Sequence, residues 1–452
     1  MSKNSTILIN VALSHIFSSS PLLFPPKLST KSYISTYGSS VYRSFAPFLQ
    51  NYACSKLEIH NSMFNSFISS FVICSSLCPS YVGETFVGVA FSFNDCGSSI
   101  ELVLCTFRNI KGTQTGAVNS NVKLLVESCL FQNCSSSSHG GAVSAGSFTN
   151  INRCSFDQCS SVLNGGVIYF YSANSNLTIY DITTSQCSCG NEGSIVFYYS
   201  KYCSLIWIRS DTCYSSKNDS SLLYGSSLLS EIVHCYLSSP VGIKNRAVGF
   251  PTRSSSILTI QNSSFIGFET SNGDGSFLSS NSTIVILSWV SFSYSESYSS
   301  INLIYFNSLT KYQINYMILQ LLPPAGGFNV INGGICENSF DDNPGVVYST
   351  LENSSLSLPS NLIVVPIALI PSTPVPMVTY TPVPTLQQTL NANSADGTNF
   401  LGSFSLLEVV IIVFSSVIVF FGMIGGVFLF IKLINGECNE KHLDPNIYNT
   451  NI

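Results

Sequence analysis

A short pattern that recurs along the chain constrains its fold more than any other feature. Two apolar residues at alternate positions are followed by a corner residue, a small residue and a phenylalanine or its substitute. Copies begin at residues 57, 100, 124, 149, 177, 206, 230, 258 and 285, so most steps are 24–29 residues. The longer first step indicates an insertion near residues 66–84. Repeats of this length are typical of stacked, quasi-one-dimensional architectures.

Each clear repeat also has a glycine at a constant distance from its start. These glycines precede short apolar runs and are Gly116, Gly141, Gly166, Gly193 and Gly275. Alternating apolar and polar residues predict two or three short strands per repeat, with glycine at corners that need a positive φ or a close backbone approach. The sequence therefore predicts an all-β fold, a right-handed parallel β-helix (a pectin-lyase-like solenoid), over residues 45–350.

Cysteines recur in phase with the repeats. The chain has 16 cysteines, a density that suggests an oxidising compartment. Cys105, Cys129 and Cys154 share one position, which predicts an inward structural ladder, and Cys134 and Cys159 share a second. Neighbours in such a ladder are about 4.8 Å apart and need not form disulfides, so the connectivity stays open. In other repeats the first position holds Ser62, Ile182, Asp211, Cys235, Ser263 and Val290.

Two chemical alternatives for these cysteines can be weighed against the ladder. Cys129, Cys134 and His139 carry thiolate and imidazole groups that suit zinc. The next repeat has Asn164 in place of His139, so the ligand set is not repeated. Cys187 and Cys189 lack the Cys-x-x-Cys spacing of redox centres. We therefore expect no metal and no cofactor.

A C-terminal apolar segment predicts a membrane anchor. Residues 409–431 carry no charge and are long enough to cross a bilayer as one transmembrane helix. Lys432 follows directly, which predicts a cytoplasmic tail over 432–452. Residues 358–405 are rich in proline and threonine and predict an extended stalk and linker. Residues 1–20 form a signal-like segment. Together these segments predict a type I plasma-membrane protein with an extracellular N-terminal ectodomain.

Several modification and contact sites fit this topology. Gly422 and Gly426 could pair two helices in a weak homodimer. Cys438 is a candidate for palmitoylation. Seven Asn-x-Ser/Thr sequons occur, at Asn4 and at the N-glycosylation candidates Asn133, Asn176, Asn218, Asn262, Asn281 and Asn353.

The Cys-x-Phe unit followed by Gly-Gly and small apolar residues resembles a known family. It is carried by three copies, which are Cys105–Phe107 with Gly116–Val118, Cys129–Phe131 with Gly140–Val143, and Cys154–Phe156 with Gly165–Ile168. The unit resembles repeats of polymorphic membrane proteins and of related surface proteins of protist parasites such as trichomonads. The bacterial repeats have Asn where this chain has Cys134 and Cys159. The resemblance implies an adhesin or surface receptor.

Charge and composition narrow the function classes. Only 9% of residues are charged, the net charge is −5 and no basic cluster occurs, which argues against nucleic-acid binding. We expect a surface binding protein for host cells, matrix or glycans. A membrane-tethered polysaccharide lyase or hydrolase is the alternative, but its acids would have to cluster, and Asp157 and Asp181 do not stack. A passive surface coat is the third candidate. No enzyme activity is expected.

Overall fold

The computed structural model describes the solenoid part of the chain. The described residues are 5–9, 12–16, 32–44, 49–51, 54–67, 72–74, 79–88, 90–93, 99–240, 243–251, 256–268, 277–293, 301–320, 328–337, 345–349 and 356–366. All lie in the first of two compact units, Met1–Ser372. These residues form strands and turns, and within them no helix is long and apolar enough to span a bilayer. The predicted span at 409–431 and the tail lie outside the described residues.

Every strand pairing is parallel and joins a strand to its counterpart one turn away. Leu124 lies opposite Thr149, and Thr149 lies opposite Leu177. Phe107, Phe131 and Phe156 align in the same way on a second face. This pairing is that of a parallel β-solenoid, so the all-β solenoid prediction is confirmed. The handedness and the pectin-lyase-like kind stay predictions.

Successive turns contribute strands to three faces, and five of the described turns also contribute a strand to a short connecting sheet. Face 1 contains Ser5–Ile9, Ser32–Tyr37, Cys54–His60, Pro79–Val82, Ser99–Val103, Lys123–Glu127, Thr149–Asn152, Leu229–Val233, Ile257–Gln261 and Ile335–Cys336. Face 2 contains Ala12–Ile16, Ser40–Ser44, Met63–Phe67, Thr85–Val87, Thr106–Arg108, Leu130–Gln132, Ser155–Asp157, Tyr236–Ser238, Ser264–Ile266, Gly345–Ser349 and Leu362–Pro366. Ile284–Ser293 and Lys311–Gln320 each cross from face 1 to face 2.

The third face lies beyond the short sheet. Face 3 contains Phe91–Phe93, Val118–Ser120, Val143–Ala145, Ser220–Ser226, Asn245–Phe250, Leu278–Ser280, Ile301–Phe306, Phe328–Asn332 and Leu356–Ser357. The five-stranded short sheet consists of Lys111–Gly112, Ser135–Ser136, Ser160–Ser161, Ser188–Cys189 and Tyr214–Ser215. Ile168–Ser185 and Val196–Asp211 run from face 3 through faces 1 and 2, and Leu49–Asn51 pairs with Val72–Cys74.

Left-handed residues form the corners, and most of them are not glycine. The corner between faces 1 and 2 has a positive φ in successive turns, at Asn61, Gly83, Leu104, Ser128, Arg153, Asp181, Trp207, His234, Asn262, Trp289 and Tyr316. We call it the first corner. The corner that ends face 2 repeats this conformation at Gly88, Asn109, Asn133, Gln158, Gln186, Thr212 and Gly267. A single left-handed residue redirects the chain, so the residues on both sides of it can face inward.

Stacked side chains fill the interior. The rings of Phe64, Phe86, Phe107, Phe131 and Phe156 form a column with centroid spacings of 4.6–5.6 Å. All five rings are buried. A turn spacing of about 4.8 Å brings equivalent rings into stacking distance without distorting the backbone. The phenylalanine of the repeat is therefore a core residue.

The register corrects two details of the predicted repeat. The expected insertion near residues 66–84 is wrong, because Pro79–Val82 pairs with both Cys54–His60 and Ser99–Val103 as a further turn. The copy expected at residue 206 begins at Cys203, which lies opposite Leu177. The shift places Ile208, and not Asp211, opposite Ile182. Both errors arose where cysteine or phenylalanine is absent from the pattern.

The domain limits are wider than predicted. Ser5–Ile9 and Ala12–Ile16, in the signal-like segment, pair with Ser32–Tyr37 and Ser40–Ser44. At the other end, Leu362–Pro366 pairs with Gly345–Ser349, although the stalk was predicted to begin at 358. Solenoid strands therefore extend beyond 45–350 in both directions.

Candidate functional site

An outward row of aromatic rings on face 3 is the most distinctive surface of the described chain. His139 stacks on Tyr169 with ring centroids 4.3 Å apart, Tyr169 on Phe197 at 5.1 Å, and Phe197 on Tyr224 at 5.5 Å. We call these four residues, with Tyr171 and Tyr199 beside them, the outer strip. The register aligns Tyr169, Phe197 and Tyr224 because face 3 is continuous through Val143–Ala145, Ile168–Ser185, Val196–Asp211 and Ser220–Ser226.

Two aromatic rows lie side by side in the outer strip. Tyr171 and Tyr199 stack at 5.1 Å, and Tyr171 lies 6.2 Å from Tyr169 with nearly parallel ring planes. Rings in contact are only about 3.5–4 Å apart along their normal. Centroid spacings above 5 Å therefore require inclined, offset rings, which leaves part of each ring face open to solvent. Tyr171 is 57% exposed.

Polar side chains border the outer strip at the third corner, which is the bend from the short sheet into face 3. These side chains complete the backbone hydrogen bonding of that corner. His139 Nδ1 accepts from the Asn164 N–H at 3.4 Å, and Asn164 Oδ1 accepts from the Glu192 N–H at 3.2 Å. Glu192 Oε2 accepts from the Ser221 N–H at 2.9 Å. Three different side chains thus perform the same structural task in successive turns, which explains how Asn164 can replace His139.

The electrostatics of this border are mixed. Burial raises the pKa of the Glu192 carboxyl, while the Ser221 N–H, Arg246 and Lys217 oppose the rise. Burial lowers the pKa of His139, which fits an imidazole that accepts at Nδ1. Charges of both signs, one acid and two cations, therefore lie near one end of the strip.

The cysteine ladders are internal. Cys105, Cys129 and Cys154 are buried in one slot, and the Cys105 N–H contacts Cys129 Sγ at 3.4 Å. The second ladder contains Cys187 and Cys213 in addition to Cys134 and Cys159. Burial raises the pKa of Cys129 and Cys159. The ten buried cysteines of the described part of the chain are free thiols. These ladders pack the core.

The zinc site and the cluster of acids that were considered as alternatives are not assembled in the described part of the chain. No group of three or more His, Cys, Asp or Glu side chains there is arranged to hold a metal ion. Asp157 lies opposite Ser185, and Asp181 occupies the first corner, so the two acids stand in different columns. Cys189 lies in the short sheet opposite Ser161, while Cys187 belongs to the second ladder.

Glycines form the third corner, the bend from the short sheet into face 3, in two ways. Gly140 and Gly165, which directly precede the predicted Gly141 and Gly166, have a positive φ, as does the predicted Gly193. Gly116, Gly141 and Gly166 do not, but a Cβ on each would overlap the carbonyl oxygen of the next turn. Gly193 was expected in the column of Gly116, Gly141 and Gly166. It aligns instead with Gly165, and Ser194 takes the position next to Gly166. Gly275 lies outside the described residues.

The predicted surface sites occupy different positions. Asn133, Asn218 and Asn262 are exposed, whereas Asn176 and Asn281 are half-buried. Asn4, Asn353, Gly422, Gly426 and Cys438 lie outside the described residues.

Sequence reasoning missed the outer strip. Its signal is the alternation of aromatic residues just after the third-corner glycines, IYFY at 168–171 and VFYY at 196–199. The inward residue of the first run, Phe170, concealed the outward pair Tyr169 and Tyr171. Comparison of the chain with family models, curated proteins and solved structures finds no match.

Proposed function

We propose that this chain is a cell-surface binding protein whose solenoid binds an extended, uncharged glycan along the outer strip. The observation that carries the proposal is the inclined aromatic stack of Tyr169, Phe197 and Tyr224, which presents one ring per turn. Its spacing of 5.1–5.5 Å is close to the length that one pyranose unit adds to an extended glycan. Aromatic faces pack against the C–H faces of sugars.

The wider setting is part of the same proposal. A right-handed, pectin-lyase-like solenoid stands on a proline- and threonine-rich stalk, a helix at 409–431 anchors it, and the tail is cytoplasmic. The repeat resemblance supports an adhesin with a host-cell, matrix or glycan ligand. Biotinylation of intact cells should label the protein. Labelling that appears only after permeabilisation would exclude this topology.

The binding test compares a double substitution in the outer strip with a single substitution of an exposed aromatic residue on face 2. Full-length protein in detergent is tested on an array of neutral and charged glycans. We expect retention of neutral linear glycans, and loss of at least tenfold in affinity when Tyr169→Ser is combined with Phe197→Ser. Serine already occupies the same column at Ser144, so the fold tolerates it. Tyr236→Ser is the control, because Tyr236 is 44% exposed on face 2 and has Ser264 opposite it.

The outcomes separate the candidate functions. Equal loss in the Tyr236→Ser control would assign binding to general hydrophobicity and contradict the proposal. Release of shortened sugar products from the same glycans would favour the lyase or hydrolase alternative. Glu192→Gln would then be the first variant to examine, because Glu192 is a carboxyl within the polar border of the strip. An absence of both binding and cleavage would favour a surface coat.

A further inference from the structure

The first corner carries a second aromatic column, which is interrupted at a single residue. Trp207 stacks on His234 with ring centroids 4.4 Å apart, and Trp289 stacks on Tyr316 at 4.2 Å. Asn262 lies between the two pairs. Its N–H donates to Ser288 O at 2.9 Å, and the His234 N–H donates to Gln261 O at 3.0 Å, so Asn262 is one turn from each pair.

This column places bulky side chains in a backbone conformation that they rarely adopt. The φ angles are 58° at Trp207, 56° at His234, 56° at Trp289 and 67° at Tyr316. The left-handed conformation is unfavourable for a residue that carries a Cβ, because the Cβ approaches the following carbonyl oxygen. Both tryptophans of the chain lie here. Stacking between turns offsets part of that cost, because each ring shields one face of the next.

The interruption leaves room for one more ring-sized group. His234 and Trp289 are two turns apart, about 9.6 Å along the solenoid, and flat groups in contact lie about 3.5–4 Å apart. Two such contacts span only about 7–8 Å, so one ring-sized group in the gap can pack on one of the two rings while it lies near the other. Trp289 is 53% exposed although one face of its indole is covered by Tyr316. The indole face towards Asn262 is therefore the open one.

Asn262 begins the sequon Asn262-Ser263-Ser264 and is exposed with φ 48°. The Ser263 hydroxyl points inward, where it donates to Gln261 O at 2.7 Å and accepts from the Cys235 N–H at 3.1 Å. We propose that Asn262 carries an N-linked glycan whose first sugar ring fills this gap and packs on Trp289. The inference rests on the proposed extracellular position of the solenoid.

A second sequon provides a matched comparison. Asn133 is also exposed and left-handed, with φ 51°, at the corner that ends face 2. Its neighbours in that column carry amides: Asn133 Nδ2 donates to Asn109 Oδ1 at 2.8 Å, and Gln158 follows in the next turn. A sugar on Asn133 therefore has no ring to pack on. Stabilisation by the attached sugar should be specific to Asn262.

The test uses full-length protein that is produced through the secretory pathway of a glycosylating eukaryotic host and solubilised in detergent, with site occupancy measured by glycopeptide mass spectrometry. An endoglycosidase trims each glycan to one sugar. In a Trp207→Phe background, Trp289 is the single tryptophan, and acrylamide quenching of its fluorescence reports on the open indole face. We expect Asn262→Gln to increase the quenching constant and the single-sugar form to retain the protection. Asn133→Gln should change neither.

Stability is a second measurement that needs no tryptophan substitution. We expect Asn262→Gln to lower the thermal midpoint by about 2–4 °C relative to the single-sugar protein, and Asn133→Gln to lower it less. An unmodified Asn262 on a chain glycosylated elsewhere would overturn the inference. Occupied Asn262 with unchanged quenching and midpoint would also overturn it, while glycan binding by the outer strip would remain intact. Failure of strip binding alone would instead overturn the proposed function.

Discussion

At the scale of single residues, the interior is a set of columns in which each position is repeated in the turns above and below. Phe131 is fully buried, and its ring stacks on Phe107 at 4.6 Å and on Phe156 at 4.9 Å. Such a residue contributes through apolar burial and through two ring contacts.

We expect Phe131→Ala to lower the free energy of unfolding by about 3–5 kcal/mol, because it removes a buried ring and leaves a cavity between two others. Phe148→Ala is the control, since Phe148 is 37% exposed and contacts Lys123 Nζ across its ring. Chemical denaturation measures both. Similar losses in the two variants would contradict the core column.

The first cysteine slot holds a carboxylic acid in one turn. Glu84 is fully buried between Ser62 and Cys105 in this slot, and its Oε2 accepts from the Ser62 N–H at 2.8 Å. Burial raises the pKa of Glu84 to about 9. Sequence reasoning passed over this residue, because residues 66–84 were interpreted as an insertion and not as a turn.

The raised pKa of Glu84 makes stability depend on pH. Between pH 4.5 and about 9 the unfolded state is ionised at this position while the folded state keeps the proton. Stability therefore falls as pH rises through that window. From pH 5 to pH 8 the loss is at most about 4 kcal/mol. We expect Glu84→Gln to flatten this slope in urea titrations at both pH values, and an unchanged slope would contradict the assignment.

At the scale of elements, the corners decide where strands end. Gly141 lies against the next turn so closely that a Cβ would overlap Gly166 O and Ser160 O. We expect Gly141→Ala to destabilise the protein by about 1–3 kcal/mol, because backbone cannot move aside. Gly146→Ala is the control: its Cβ would meet Asn121 Oδ1 at 2.8 Å, and that side chain can rotate. Circular dichroism melts compare the two, and equal midpoints would argue against the close approach.

The register of a strand was predicted correctly where its turn contains the repeated cysteine and phenylalanine, and both register errors lie in turns that lack this pair. The turns with Cys105, Cys129 and Cys154 were aligned correctly from sequence. The predicted start of the turn at Cys203 was three residues too late. Its apolar residues alternate either as Cys203 and Leu205 or as Ile206 and Ile208. Only pairing with Leu177 and Ile179 selects between them. The hydrogen-bonding partner of a strand, and not its own alternation, decides its register.

For the whole molecule, stacking makes each turn a separable unit. Leu124 lies opposite Thr149, so deleting residues 124–148 removes one complete turn and leaves Thr149 opposite Ile100. We expect this variant to fold, with a β-rich circular dichroism spectrum and resistance to limited proteolysis. Deleting 125–148 leaves one extra residue, which would turn inward side chains outward. Equal folding of both deletions would contradict the solenoid register.

The sequence by itself determined the repeat, the strand alternation and the cysteine ladders, because each depends on local spacing that recurs in successive turns. Only the tertiary structure decided which outward side chains meet. Tyr169, Phe197 and Tyr224 are each about one turn apart in the chain, as are His234, Asn262 and Trp289. Their adjacency depends on the registers of several successive turns at once, and small differences in turn length conceal it in the linear sequence.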